Sequence, residues 1–485
     1  MASRRVQKRM SLGKNARRRL ALYGGAMVFA ALALWGIPVF VSRLAPRINL
    51  RRTALEADAA METEAVKLLV EYVRLDTSNP PGVTRPAIEF IAQILGCEGI
   101  PTTVTGADPQ RPILVARLTG RRSEGALALL NHVDVVPAGD LAAWKKPPFA
   151  AVRGDGGESD HLYGRGTLDM KGQTIANVLA LASLRRAGLV PLRDIVFVAE
   201  SGEETFERNL SMEWLLDHRQ DLVAGVTDVF NEGGVNEVKT QRIERFGIEI
   251  MQKAILTVEV RAKEAKPLED FREFLKARDE SQPVRVVPTV REFLRFIAPT
   301  RSDIWGRRML GEVEKLGPET EFWQYVPEVY RSLLRNRIYM SKVGKVTGGS
   351  SLSVTTTLLP GSPVEAARAE FDGWARERGF SLRVVLATPD SVPSPAEGRA
   401  YQAAADVYGL DPEGALVGPY ILNGQYTSSA GLRARGLRAY GVSPFAVSIY
   451  DASTIHGANE RISLPFFVDG IERTRRILFE FATAP

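Results

Sequence analysis

The chain has 485 residues, 45% of them hydrophobic, a net charge of +6 and a single cysteine, Cys97. That length and apolar content call for two packed units and exclude a disordered chain, and one cysteine excludes an intrachain disulfide framework. The positive balance does not imply a nucleic-acid partner, because twelve basic residues crowd positions 1–52 and leave the remainder net acidic.

Eight of those twelve fall within residues 1–19, and no charge follows from Ala21 to Ser42. The run ALYGGAMVFAALALWGIPVFVS is about as long as a helix that crosses a bilayer, and longer than the apolar region of a removed leader or a buried core helix needs. A transmembrane helix is expected over 20–42. The larger basic cluster places the tail, 1–19, in the cytoplasm and the bulk of the chain outside an inner or plasma membrane, as a single-pass protein. Anionic headgroups beside the basic flanks fit the same picture.

Apolar residues at helical spacing over 54–75 end at TSNPPG (77–82), and a second helix is expected at roughly 86–96. ILVARL (113–118), ALALL (126–130), DIVFVAE (194–200) and VTDVF (226–230) read as strands, with TIANVLALASLRRAG (174–188) a helix among them. Such alternation predicts an α/β unit with a largely parallel sheet covered on both faces. From about Phe246 the pattern changes: a strand AILTVEVRA (254–262), a charged, Pro-punctuated helical region, a strand in SLSVTTTLLPG (351–361), then a helix VEAARAEFDGWARERG (364–379). This is expected to be an inserted α+β lid or dimerisation unit over 246–393. It divides the main unit into 54–245 and 394–485, the latter with helices at 401–409 and after Leu464. AILTVEVRA is a candidate edge strand for a homodimer, with a lid on a monomer the alternative.

Four chemically loaded stretches lie at strand ends or in turns. His132 and Asp134 follow ALALL; Glu203 and Glu204 follow DIVFV; Glu232 follows VTDVF; Asp169 sits in the glycine-punctuated YGRGTLDMKG (163–172). Ligands bind beyond the carboxyl ends of strands in open α/β sheets, so these groups can converge in one crevice. Imidazole and carboxylate suit zinc, and a carboxylate between two divalent ions screens their repulsion. Asp134 can orient His132 by accepting its other ring hydrogen. Of two adjacent glutamates, one can bind metal while the other holds a proton.

These stretches, with VRLDTSNPPG (73–82), LLNHVDVVPAGDLAAWKKPPF (129–149), LYGRGTLDMKG (162–172), AESGEET (199–205), FNEGG (230–234) and TIHGANERIS (454–463), resemble the zinc-dependent aminoacylase and carboxypeptidase S family of metallopeptidases. That family includes membrane-associated N-acyl amino acid hydrolases. The resemblance implies two zinc ions: His132, Asp169 and Glu232 would hold one, Asp169, Glu204 and His456 the other, with Asp169 bridging. Glu203 would be the general base and Asp134 the partner of His132. The implied substrate is a small N-acyl amino acid or peptide, cut at the amide next to a free carboxylate. His161 and His218 match no motif and are expected at the surface.

Four departures fall on parts that grip substrate. The family's Gly-His-Ser stretch, whose histidine stabilises the oxyanion, is replaced by RAKEAKPLED (261–270); an arginine before Leu-Leu-Pro-Gly is replaced by Thr357; an Asn-Val-Ile-Pro-like stretch by GGSSLSV (348–354); and a Thr-Asp-Ser-Arg-like run by TSSAG (427–431). Loss of an oxyanion donor costs about 2.7–4 kcal/mol of transition-state stabilisation. The alternative to a hydrolase is therefore a metal-retaining, non-catalytic relative that binds a ligand or partner. Lys263, Lys266 and Tyr426 are candidate substitutes for the missing donor.

Overall fold

A computed structural model describes residues 59–484, apart from positions within 156–159, 240–241 and 302–327. The basic tail and transmembrane helix expected at 1–42 lie outside the described residues. Among those residues no helix is long and apolar enough to cross a membrane.

Two helices come first, and their buried faces follow from residue spacing. Helix α1 (Ala59–Val73) buries Ala65, Leu69, Tyr72 and Val73, one side of successive turns. Helix α2 (Arg85–Cys97) begins with Pro86 in its first turn, where no donor is lost, and buries Ala87, Ile88, Ile91 and Leu95.

Strands β1 (Thr102–Thr105), β2 (Ile113–Leu118), β3 (Arg122–His132), β4 (Arg193–Glu200), β5 (Val226–Asn231), β6 (Val235–Lys239) and β7 (Arg242–Gln252) belong to the larger sheet. Then β8 (Ala254–Ala262), β9 (Arg337–Met340), β10 (Gly349–Leu358) and β11 (Ser381–Ala387) build a smaller one, to which the short strand Gly344–Val346 is added. Finally β12 (Leu416–Leu422), β13 (Arg438–Gly441) and β14 (Ala446–Ser448) return to the larger sheet.

The larger sheet runs β1-β2-β4-β3-β5-β13-β7-β6-β14, with β12 paired to β7. It is mixed, which corrects the expectation of a largely parallel sheet. Its centre, β4-β3-β5-β13, is parallel, whereas β1-β2, β2-β4, β13-β7 and β6-β7 are antiparallel. The connections β1-β2 and β6-β7 are too short for a crossover and fold back as hairpins. Both faces are covered. Leu127, Leu129, Ile195 and Phe197 face helix α3 (Gly172–Arg186), while Ala128, Leu130, Val196 and Val198 face Met212 and Leu215 of the helix Met212–His218. This alternation is the period-two pattern of a strand buried on both sides. Helix α3 is buried nearly all round.

In the smaller sheet β8 lies between β10 and β11, so AILTVEVRA is an interior strand and β11 forms an edge. Leu256, Val258 and Val260 point towards helices α4 (Ala265–Glu280) and α5 (Val364–Glu377), where Leu268, Phe271, Leu275 and Phe371 meet them. Glu259 on the other face pairs with Arg261 and Arg383 at 3.0 Å each. Helices on one side and ion pairs on the other are expected of an antiparallel sheet with one solvated face. Helices α6 (Arg399–Gly409) and α7 (Leu464–Thr483) complete the larger unit, with α7 packed on α3.

Candidate metal centre

The parallel strands at the centre of the larger sheet end together. His132 is the last residue of β3 and lies in register with Glu200, the last of β4; Glu203 and Glu204 occupy the next turn, and Glu232 follows β5 directly. Asp169 arrives from the segment before α3, where Gly166 takes φ 84°. A Cβ there would lie 2.7 Å from Val135 Cγ1, so the turn admits glycine at this place. His456 comes from the far end of the chain and adopts φ 60°, a conformation rare outside glycine and asparagine.

The five residues meet. Asp169 turns its two carboxylate oxygens to two histidines: Oδ1 lies 3.0 Å from His132 Nε2, and Oδ2 lies 2.9 Å from His456 Nε2. Glu232 Oε2 lies 3.7 Å from His132 Nε2, and Glu204 Oε2 3.3 Å from His456 Nε2. Three sets of potential ligand atoms thus lie within 4.8 Å of one another: His132, Asp169 and Glu232; Asp169, Glu204 and His456; His132, Glu203 and Glu204. His132 is buried, whereas His456 stands at the exposed rim.

Asp134 lies beside His132, with its backbone nearer than its carboxylate. His132 Nδ1 lies 2.9 Å from the backbone carbonyl of Asp134 but 3.7 Å from its carboxylate. A carbonyl only accepts, so Nδ1 carries a hydrogen, and Nε2 is the nitrogen turned to Asp169 and Glu232, donating to them when protonated and available to a metal when not. The Asp134 carboxylate instead fixes the glutamate turn: Oδ2 accepts from the Glu204 backbone N–H at 3.2 Å and from Asn79 Nδ2 at 2.9 Å. Glu204 returns the contact by accepting from the Val136 N–H at 3.2 Å.

Charge is crowded here. Burial, reinforced by the Glu232 charge, pushes Glu203 well above the usual carboxylate range, and burial with Asp169 raises Glu232 to about 8. Burial opposes the histidine charges, but neighbouring carboxylates outweigh it, holding His132 well above 6.5 and His456 at about 11. Asp169 is kept low despite its burial by hydrogen bonds from both rings. Four carboxylates around two imidazoles are a donor set whose charge and chemistry fit a pair of divalent ions.

Residues that sequence reasoning passed over brace this arrangement. Glu460 is fully buried, accepts from Arg165 Nη1 at 2.6 Å, and takes the backbone N–H groups of Gly166, Leu168 and Asp169 at 2.9–3.2 Å. It lies within TIHGANERIS, but a glutamate beside an arginine gives no sign that it is buried. Ser428 donates to Glu200, and that interior bond occupies one residue of the altered TSSAG run. Of the two unassigned histidines, His218 is exposed as expected; His161 is part-buried, with Nε2 3.5 Å from Asp451, and so is not a simple surface residue.

Comparison with known proteins agrees with this geometry. The sequence profile of peptidase family M20/M25/M40 matches residues 128–480. A "Probable succinyl-diaminopimelate desuccinylase" of Staphylococcus epidermidis (strain ATCC 35984) is 32% identical over 169 residues, 34% of this chain and 39% of that protein. A succinyl-diaminopimelate desuccinylase of Gluconobacter oxydans (strain 621H) is 34% identical over 160 residues, 32% of this chain and 39% of that one. The chain thus spans about two fifths of the length of these relatives. An M20 family metallo-carboxypeptidase of Sulfolobus solfataricus shares the fold with a TM-score of 0.68 at 17% identity, over 86% of this chain and 99% of that one. Human carnosine dipeptidase 1 does so with a TM-score of 0.64 at 17% identity, over 87% and 97%. With most of its length matched by that profile, the chain belongs to peptidase family M20/M25/M40.

Proposed function

We propose that the protein hydrolyses an amide or peptide bond next to a free carboxylate, in an N-acyl amino acid or a short peptide, in the manner of an aminoacylase or carboxypeptidase. One observation carries this: the two oxygens of Asp169 face His132 and His456 at 3.0 and 2.9 Å, with Glu203 beside them. His132, Asp169 and Glu232 would hold one divalent ion, Asp169, Glu204 and His456 the other, and imidazole–carboxylate donors favour zinc. When bound, the ions supply Lewis acidity to the carbonyl and acidify water.

The chain's own groups do the rest. Glu203 makes no side-chain hydrogen bond among the described residues, and its raised affinity for protons suits a general base. It takes a proton as water attacks the carbonyl carbon and delivers it to the leaving amine. Asp134 acts as a positioning residue, through its backbone on His132 and through its carboxylate on Glu204. With Glu203 beside complete ligand sets, the non-catalytic alternative gains no support.

The same proposal takes 54–245 with 394–485 as the catalytic unit and 246–393 as a lid or dimerisation unit, whose homodimer contact would run along edge strand β11. The segment 20–42 tethers the whole to a membrane with the catalytic unit on the extracytoplasmic side. The test uses the full chain, assayed with N-acyl amino acids and dipeptides with and without zinc, alongside Glu203→Gln. Turnover that disappears in the variant while metal content holds supports the hydrolase; bound metal with no turnover across the panel sinks it.

A further inference from the structure

The departures in the smaller unit leave the oxyanion without its expected donor, and the structure discriminates among the three candidate substitutes. Lys263 and Lys266 are solvent-exposed at the start of α4, and Lys266 is paired with Asp270. Tyr426 is different. It is half-buried, and its hydroxyl makes no hydrogen bond among the described residues. Its hydroxyl is therefore free to meet a bound substrate.

Its position is defined from several directions. The Tyr426 ring meets Phe206 edge-on at 4.8 Å between centroids, and the Phe206 N–H donates to the Glu203 carbonyl at 2.9 Å. The ring is therefore anchored to the turn that carries Glu203. On the other side, a Cβ added to Gly233 would lie 3.6 Å from Thr427 Cγ2, which brings the segment alongside the residue that follows Glu232. Thr427 is pinned in turn by Gln252, whose Nε2 donates to the Thr427 carbonyl at 3.0 Å and whose Oε1 accepts from Thr427 Oγ1 at 2.8 Å. Ser428 is held by Glu200. Tyr426 is thus fixed between the Glu203 turn and the Glu232 turn on a backbone with little freedom.

We propose that the Tyr426 hydroxyl donates the hydrogen bond that stabilises the oxyanion as the amide carbonyl becomes tetrahedral. The inference rests on the hydrolytic function proposed above. The water oxygen bonds to the carbonyl carbon, the carbonyl π pair moves onto oxygen, and one water proton passes to Glu203. When the C–N bond breaks, that proton goes to the amine nitrogen, and Tyr426 keeps its own throughout. Burial, then the charges of Glu213, Glu203 and Glu200, hold the phenol well above its ordinary range, so it remains a neutral donor.

The test compares full-chain wild type, Tyr426→Phe and Tyr426→Ala, each loaded with zinc. Tyr426→Phe keeps the contact with Phe206 and removes only the donor. Metal content and KM are expected to stay near wild type while kcat falls about 10²–10³-fold. Calorimetric affinity for a phosphinic dipeptide, a tetrahedral anion, should fall with it, while affinity for the amino-acid product holds. Unchanged kcat and phosphinate affinity in Tyr426→Phe would overturn the proposal, as would faster turnover in Tyr426→Ala, which would make the ring an obstruction. If wild type cleaves nothing in the panel, the hydrolytic function fails. Equal phosphinate affinity in wild type and Tyr426→Phe would then overturn the donor role by itself.

Discussion

The rim of the larger sheet and the smaller sheet are both built from short aliphatic strands under helices, yet they hold their polar groups in opposite ways. At the rim, His132, Asp134, Asp169, Glu204 and Glu460 are joined by hydrogen bonds that run from one turn to the next. In the smaller sheet, the Glu259–Arg383 pair lies on the face away from the helices, and the face beneath them is lined by aliphatic and aromatic side chains. One region thus gathers its polar groups into a site, and the other keeps them outside an apolar core. The lesson is that the geometry of the candidate ligands rests on backbone and buried acceptors, so changes at the rim reach that geometry directly, while changes in the apolar core of the smaller sheet act first on stability.

Substitutions can break or sharpen that contrast. The largest effect is expected from Asp169→Ala, which removes the carboxylate common to two candidate ligand sets: bound metal, measured by elemental analysis, and the proposed turnover should both collapse. Retention of both ions would show that the two sets do not depend on a shared carboxylate. Glu460→Gln leaves the Arg165 charge buried and uncompensated, which costs about 3–5 kcal/mol in thermal or chemical unfolding, with weakened metal binding alongside. Leu268→Ala, in the core of the smaller sheet, should cost about 2–5 kcal/mol yet leave metal stoichiometry intact. Should metal be lost, the two regions are coupled more tightly than their separate cores imply. Asp134→Asn keeps the backbone carbonyl on His132 but weakens the hold on Glu204, so metal affinity should drop by roughly 10–100-fold in competition with a chelator. Arg383→Ala is expected to change stability by no more than about 0.5 kcal/mol, since exposed ion pairs contribute little.

The same contrast explains what could be read from the sequence. Strands at 113–118, 194–200 and 254–262 were legible because apolar and β-branched runs between turn signals admit few other structures. Their directions were not, because hairpin and crossover differ only in the connection, and a mixed sheet leaves the same strand text. The candidate ligand residues that the structure brings together were legible as short motifs at strand ends. Their supports were not: the Asp134 carbonyl that orients His132 is backbone, and sequence is silent about where a backbone oxygen points. Glu460 reads as an ordinary charged residue until the fold buries it, and Thr357, where a charge was expected, is buried within β10.

His456 and Glu460 share one short stretch near the end of the chain, one reaching Asp169 by its side chain and the other by its backbone. A growing polypeptide therefore cannot complete this cluster of side chains until the stretch has been made, long after Asp169 itself. Any product cut short before this stretch would lack both a donor and the clasp that shapes the bridging loop. Competence to hold cations is thereby deferred until two distant parts of the polypeptide are both present and folded together.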